Sequence, residues 1–284
     1  MKKILLTISI VILTIFISGC FKRDNFEDIE IYTTSYPIEY ITNYLYGDHS
    51  TVISVYPDGV NIDEYRLTDE QIKEYSKSKL FIFNGLGIEK DYVLPMFKLN
   101  KDLKIIDAAK TMSVTNDIIE LWVDPSNFLM LASNIRNGLH EYIDNHYLKN
   151  SISEKYDELK LNISALDANI KLMADGAVNK TIIVDSDAYL FLKKYNLEVI
   201  SLENANEKTI NTAINLINSE KVKTVFRKQY STNSDALTEV IKATNIETTT
   251  LHSLTNINSE ERLAKADYVS IMNNNIELIR NELY

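Results

Sequence analysis

Cysteine is all but absent: the chain of 284 residues has one, Cys20. With that residue acylated, as argued below, no thiol remains. Disulfides, iron–sulfur clusters and thiolate metal sites are then excluded. Enzymatic signatures are missing too. There is no Gly-x-Ser-x-Gly nucleophile elbow, no phosphate loop, no dinucleotide glycine fingerprint and no His-Glu-x-x-His. Histidine is scarce, with four copies: His49, His140, His146 and His252. Basic residues fall short of acidic ones, 30 against 40, for a net charge of −10. An acidic body of this kind makes a poor nucleic-acid binder and draws cations weakly through its overall field. No solenoid repeat, low-complexity tract or His-rich loop is found. At 45% hydrophobic and 25% charged residues the chain is globular rather than disordered.

The beginning of the chain is its most distinctive stretch. Met1-Lys2-Lys3 leads an apolar run from Ile4 to Ile17, which ends in Ile17-Ser18-Gly19-Cys20. A short basic head, an apolar core and small residues before a break form a secretory signal. The run is too short to span a bilayer comfortably. Ile-Ser-Gly-Cys looks like a bacterial lipobox, in which the cysteine is lipidated and becomes the new N-terminus. The alternatives are a plain N-terminal anchor or a signal with a chance cysteine. Acyl chains on Cys20 would hold the protein at the outer face of the cytoplasmic membrane while its body stays in water. Richness in Lys, Asn and Ile leans toward a single-membrane, low-GC organism.

Beyond a polar tether at 20–27, strand and helix patterns alternate. Strands are expected at 29–33, 51–56, 79–83 and 103–106, with helices at 37–46, 69–76 and 91–98. From Pro125 to about Lys171 the sequence turns helical. Ile152, Tyr156, Leu159, Ile163, Leu166, Ile170 and Met173 recur at spacings of four and three, one face of a long helix ending near Gly176. Alternation then resumes. Strands are expected at 181–184, 197–202, 222–226 and 247–251, with helices at 187–195, 208–219 and 234–244, and mostly helix from Glu260 onward. This pattern predicts two α/β lobes with mostly parallel sheets, joined by one long helix. The boundaries are a signal at 1–19, a lipidated tether at 20–27, an N-terminal lobe at 28–147, a linker helix at 148–177 and a C-terminal lobe at 178–284. Ligands of open α/β sheets sit outside the carboxyl ends of the strands, here the cleft between lobes.

The segments after the strands carry the chemistry. They are Tyr36-Pro37, the run Tyr56 to Tyr65, Phe83 to Glu89, Glu120-Leu121-Trp122-Val123-Asp124-Pro125 and Asp187-Ala188-Tyr189, with Tyr268, Met272 and Asn275 near the end. In this order, over nearly the whole chain after the signal, they resemble the metal-binding solute-binding lipoproteins of zinc and manganese ABC importers. The resemblance implies two α/β lobes on one rigid helix, which limits hinge motion. It also implies a divalent metal, zinc or manganese, as transported ligand, an ABC permease as partner, no enzymatic activity and a monomer.

The departures from that family fall on its ligands, normally three histidines and one carboxylate from four loops. The resemblance puts Asp63, Glu120 and Ser186 where the histidines stand. The carboxylate turn reads Leu251-His252-Ser253-Leu254, and a family acid near Gln229 gives way to Arg227. The implied metal set is therefore Asp63, Glu120, Ser186 and His252. Zinc favours imidazole and thiolate. Two carboxylates and one imidazole suit manganese, iron(II) or zinc. Arg227, if turned inward, would oppose a cation. The rival reading keeps the fold without the metal, as an adhesin or a binder of another solute. A hydrolase using Asp63 and Glu120 ranks last, because fold analogy offers no catalytic precedent. Trp122 is expected to pack at the lobe junction and Tyr65 to reach across the cleft. Gly59, Gly85 and Gly87 are expected to serve backbone turns, and Asp124-Pro125 to start a helix.

Overall fold

The computed structural model describes residues 24–113 and 118–284. The signal at 1–19, Cys20 and the first part of the tether lie outside the described residues. Among the described residues no helix is long and apolar enough to cross a membrane.

Short runs of β-branched and aromatic residues make the first sheet. Its elements are β1 (Glu30–Thr33), α1 (Tyr36–Tyr46), β2 (Thr51–Ser54), α2 (Asp69–Tyr75), β3 (Leu80–Phe83), α3 (Lys90–Leu99) and β4 (Lys104–Asp107). The strand order is β2-β1-β3-β4. Leu-Phe-Ile-Phe of β3 is buried at every position, as a central strand covered on both faces must be. Pro37 stands in the first turn of α1, where its missing N–H costs nothing.

A 3-10 turn (Leu121–Val123), α4 (Pro125–Tyr142) and α5 (His146–Gly176) connect the lobes. The last of these, α5, is the long helix expected to end near Gly176. The side chain of Asn145 caps α5 by accepting from the N–H groups of Tyr147 and Leu148. The Asp24 carboxylate accepts from the N–H groups of Asp144 and Asn145, at 2.9 and 3.1 Å, fixing the turn. The face of α5 that carries Ile152, Leu159, Ile163, Leu166, Ile170 and Met173 is buried in a core continuous with both lobes.

The second lobe repeats the plan with β5 (Thr181–Val184), a 3-10 helix (Asp187–Tyr195), β6 (Glu198–Ser201), α6 (Glu207–Asn218), β7 (Val225–Lys228), α7 (Asp235–Thr244) and β8 (Thr248–Leu251). Its order is β6-β5-β7-β8, so both sheets share one topology. Every strand pair is parallel. The stretch after β5 is 3-10 throughout, tightened by the Ser186 hydroxyl accepting from the N–H of Ala188. The C-terminal helical region is split, into α8 (Ser259–Leu263) and α9 (Tyr268–Leu283). Lys265 takes a left-handed φ of 54° between them, and Asp267 recaps the chain in a capping box with Ser270.

Candidate functional site

In each sheet the chain reverses its winding direction beside the first strand, between β1 and β3 and between β5 and β7. Crevices at the carboxyl ends of such strands are where open α/β folds bind ligands. Here the two crevices face one another. Segment 57–61 of the first lobe is bonded to the second: the Gly59 N–H donates to the Ile257 carbonyl at 2.8 Å. The Asn256 amide donates to the carbonyls of Pro57 and Val60 at 2.8 and 3.0 Å. Gly59 sits at φ +77°, a conformation few other residues adopt, and so turns the segment toward its partner.

Trp122 is 1% exposed and joins the lobes. Its indole N–H donates to the Ser253 carbonyl at 2.9 Å, and its own carbonyl accepts from the Tyr268 hydroxyl at 2.6 Å. On the outer rim Arg262 of α8 donates to Asp58 and to Glu39, both in the first lobe. Tyr65 does not reach across. Its hydroxyl accepts from Gln71 within its own lobe at 2.9 Å, because the capping box of Thr68 and Gln71 brings α2 beneath it.

Four loops at the carboxyl ends carry Asp63, Glu120, Ser186 and His252. Asp63 is exposed on a turn built on Asn61. Glu120 is 6% exposed. Its carboxylate forms an ion pair with the ammonium of Lys228, the last residue of β7, so the pair spans the lobes. Burial alone would lower the Lys228 pKa. The charges of Glu120, Asp63 and Glu203 outweigh that effect and hold it above the usual lysine value, so the ammonium stays charged. Three carboxylates thus act on one cation, and that cation belongs to the chain.

The other two residues are engaged locally. Ser186 is buried and caps the 3-10 helix. His252 accepts at Nδ1 from the Leu254 N–H at 2.9 Å, so in the neutral ring the proton lies on Nε2. Nε2 is 3.3 Å from Glu261 Oε1 but off the line of a hydrogen bond. In this tautomer Nε2 is a donor rather than a metal ligand. Burial lowers the His252 pKa, against the pull of Glu261, and keeps the ring neutral. Among the described residues no group of three or more His, Cys, Asp or Glu side chains is placed to hold a metal ion. Arg227 donates to the Ser231 carbonyl at 3.1 Å, and its Nε is buried without a hydrogen-bond partner.

Sequence reasoning passed over Lys228 and named Glu89 only as the end of the segment Phe83 to Glu89. Lys228 shows no motif and lies two residues past the strand expected at 222–226; the structure ends that strand, β7, on it. Glu89 is 3% exposed, and burial pushes its carboxyl up to about 7, with Asp63 adding to the rise. A Cβ at Gly87 would strike the Glu89 carboxyl, so the glycine makes room for the acid.

Two lobes of one topology, a stiff helix between them and a polar interlobe cleft define a solute-binding protein, a class without catalytic chemistry. Residues 31–282 match the family described as zinc-uptake complex component A periplasmic, and the chain belongs to that family of metal-importer components. It is 26% identical over 235 residues to the iron-binding protein YfeA of Yersinia pestis, covering 75% of this chain and 72% of that protein. It is 24% identical over 255 residues to the manganese ABC transporter substrate-binding lipoprotein PsaA of Streptococcus pneumoniae, covering 80% and 82%. Its fold superposes on the crystal structure of the Zn(II)-bound ZnuA-like domain of S. pneumoniae AdcA with a TM-score of 0.74 at 19% identity, covering 90% and 99%.

Proposed function

We propose that this chain, the solute-binding component of a divalent-metal importer, takes its cation in the interlobe cleft on oxygen ligands led by Glu120 and Asp63, in exchange for Lys228. The observation that carries this reading is the buried Lys228–Glu120 ion pair, with Asp63 and Glu203 reinforcing it. These carboxylates already stabilise one positive charge between the lobes. A divalent ion would offer them twice that charge. Ser186 would stand by as a neutral oxygen donor. His252 would join only after its proton moved from Nε2 to Nδ1 and the Leu254 bond broke. Oxygen-rich ligation of this kind fits manganese better than zinc. The relatives are named for iron, manganese and zinc, so kinship supports a divalent metal and leaves its identity to the ligands. The protein works as a monomer, tethered by acylated Cys20 to the outer face of the cytoplasmic membrane of a bacterium, and delivers its cargo to an ABC permease.

The test is calorimetric titration of the chelator-stripped protein with manganese, zinc and iron(II). One-to-one binding, lost in the variant combining Asp63→Ala with Glu120→Ala, supports the assignment. Binding that survives that double substitution overturns the ligand set. A second reading, a metal-free paralogue that binds another solute or a surface partner, is favoured by the same lysine, since a tethered ammonium can satisfy the acids permanently. Absence of binding by all three metals selects it.

A further inference from the structure

We propose that the amino-terminal end of the first lobe is a docking face for the anionic phospholipid surface that holds the chain's own tether. The inference rests on the lipid-anchor reading of Cys20. The lysines Lys79, Lys98, Lys101 and Lys104 are exposed there, and none has an acidic partner among the described residues. Two exposed apolar side chains at the end of α3, Phe97 and Leu99, lie among them, 38% and 57% exposed. The Lys101 ammonium stands 4.5 Å over the Phe97 ring. The patch is one surface. The Asn100 amide donates to the carbonyls of Ser76 and Ser78, and the Lys104 N–H donates to the Lys79 carbonyl.

The nearby acids do not cancel it. Glu74 is paired with Lys77, while Glu30, bonded to the Tyr32 hydroxyl, and Asp102 keep their charges against four lysines. In a chain of net charge −10, a basic and apolar end is a local inversion. Lysines beside exposed aromatic and leucine side chains match the headgroup region of an anionic bilayer.

The position of the tether selects this occupant. Lys79 Nζ donates to the Asn25 carbonyl at 3.1 Å, so the patch touches the start of the described chain. Cys20 lies four residues before Asp24, a reach of at most about 14 Å. An acyl anchor that close keeps this end of the lobe near the membrane. The cleft lies at the opposite, carboxyl ends of the strands. A body resting on this face would hold its cleft toward the outside medium, from which solute arrives. Contacts this few and this salt-sensitive release readily when the body turns to deliver.

The test uses the acylated chain in vesicles of dibrominated phosphatidylglycerol, with Phe97→Trp as the reporter and buried Trp122 as background. The anchor is read separately, from the mass of the N-terminal peptide and from partition into detergent. We expect strong quenching for Phe97→Trp and little for Leu263→Trp, a probe at a more exposed position on the second lobe. We expect the combination of Lys79→Glu, Lys101→Glu and Lys104→Glu to remove about half of the quenching or more. Equal quenching of both probes, or quenching unmoved by charge reversal, overturns the docking face. An unmodified Cys20 overturns the anchor reading instead. The patch is then judged on the unanchored protein, by salt-sensitive sedimentation with phosphatidylglycerol vesicles, and no sedimentation overturns it.

Discussion

The two lobes share a strand order but bring different charged groups to the cleft between them. The first lobe supplies Asp63 and Glu120 and keeps Glu89 buried beneath them. The second supplies Lys228 and Arg227 from β7, and its acids are already engaged: Asp185 accepts from Ser234, Glu203 from the Asp187 N–H, and Glu261 from the Asn258 N–H that it caps. One wall carries the buried acid Glu120 and the other the lysine that pairs with it. Matching topology therefore does not mean matching chemistry. The sheet decides which loops meet, and the residues in those loops decide what they hold.

The largest effect should come from breaking the pair that crosses between the walls. Lys228→Met leaves Glu120 buried without its counter-ion, and the metal-free protein should lose about 3 kcal/mol in denaturant unfolding. Adding Glu120→Gln should recover much of that loss. If the two losses simply add, the lobes are not coupled through this pair.

The next effect concerns the first wall alone. Glu89 titrates near 7 in the fold and near 4.5 when unfolded. Because its folded pKa is raised, its contribution is full below pH 4.5 and is lost as pH rises through 7. Glu89→Gln should therefore be neutral in acid and, above pH 8, more stable than the parent by about 3 kcal/mol. A pH-independent difference would mean that the carboxyl is not held neutral by burial.

Smaller effects test the seam. Asn256→Ala removes two bonds to the carbonyls of segment 57–60 and should cost about 1–2 kcal/mol, with faster amide exchange at Gly59. Arg262→Ala, on the exposed rim, should cost under about 1 kcal/mol despite its two carboxylate partners, and that loss should shrink in high salt.

Much of this architecture can be read from the chain. Alternating strand and helix patterns mark the two parallel lobes, and the four-three spacing from Ile152 to Met173 marks the connecting helix. The cap that starts this helix is not legible, because Asn145 is held there with Asp24, more than a hundred residues away. The loops that carry Asp63, Glu120, Ser186 and His252 are visible as segments following strands. Their side-chain states are not. The tautomer of His252 follows from the Leu254 N–H, and the partner of Glu120 lies 108 residues further along the chain. Lys228 could not be singled out from sequence, because one lysine just past an expected strand looks like any solvated lysine. Only the approach of the opposite lobe makes it the cleft's cation.

The most direct measurement is manganese and zinc affinity, by calorimetry, of the stripped parent protein and of Lys228→Met. If the lysine occupies the place of the transported cation, the variant should bind about tenfold more tightly or better, a gain of about 1.4 kcal/mol. Equal or weaker binding by the variant would contradict the account, because the ammonium would then not be competing for the acids that hold the metal.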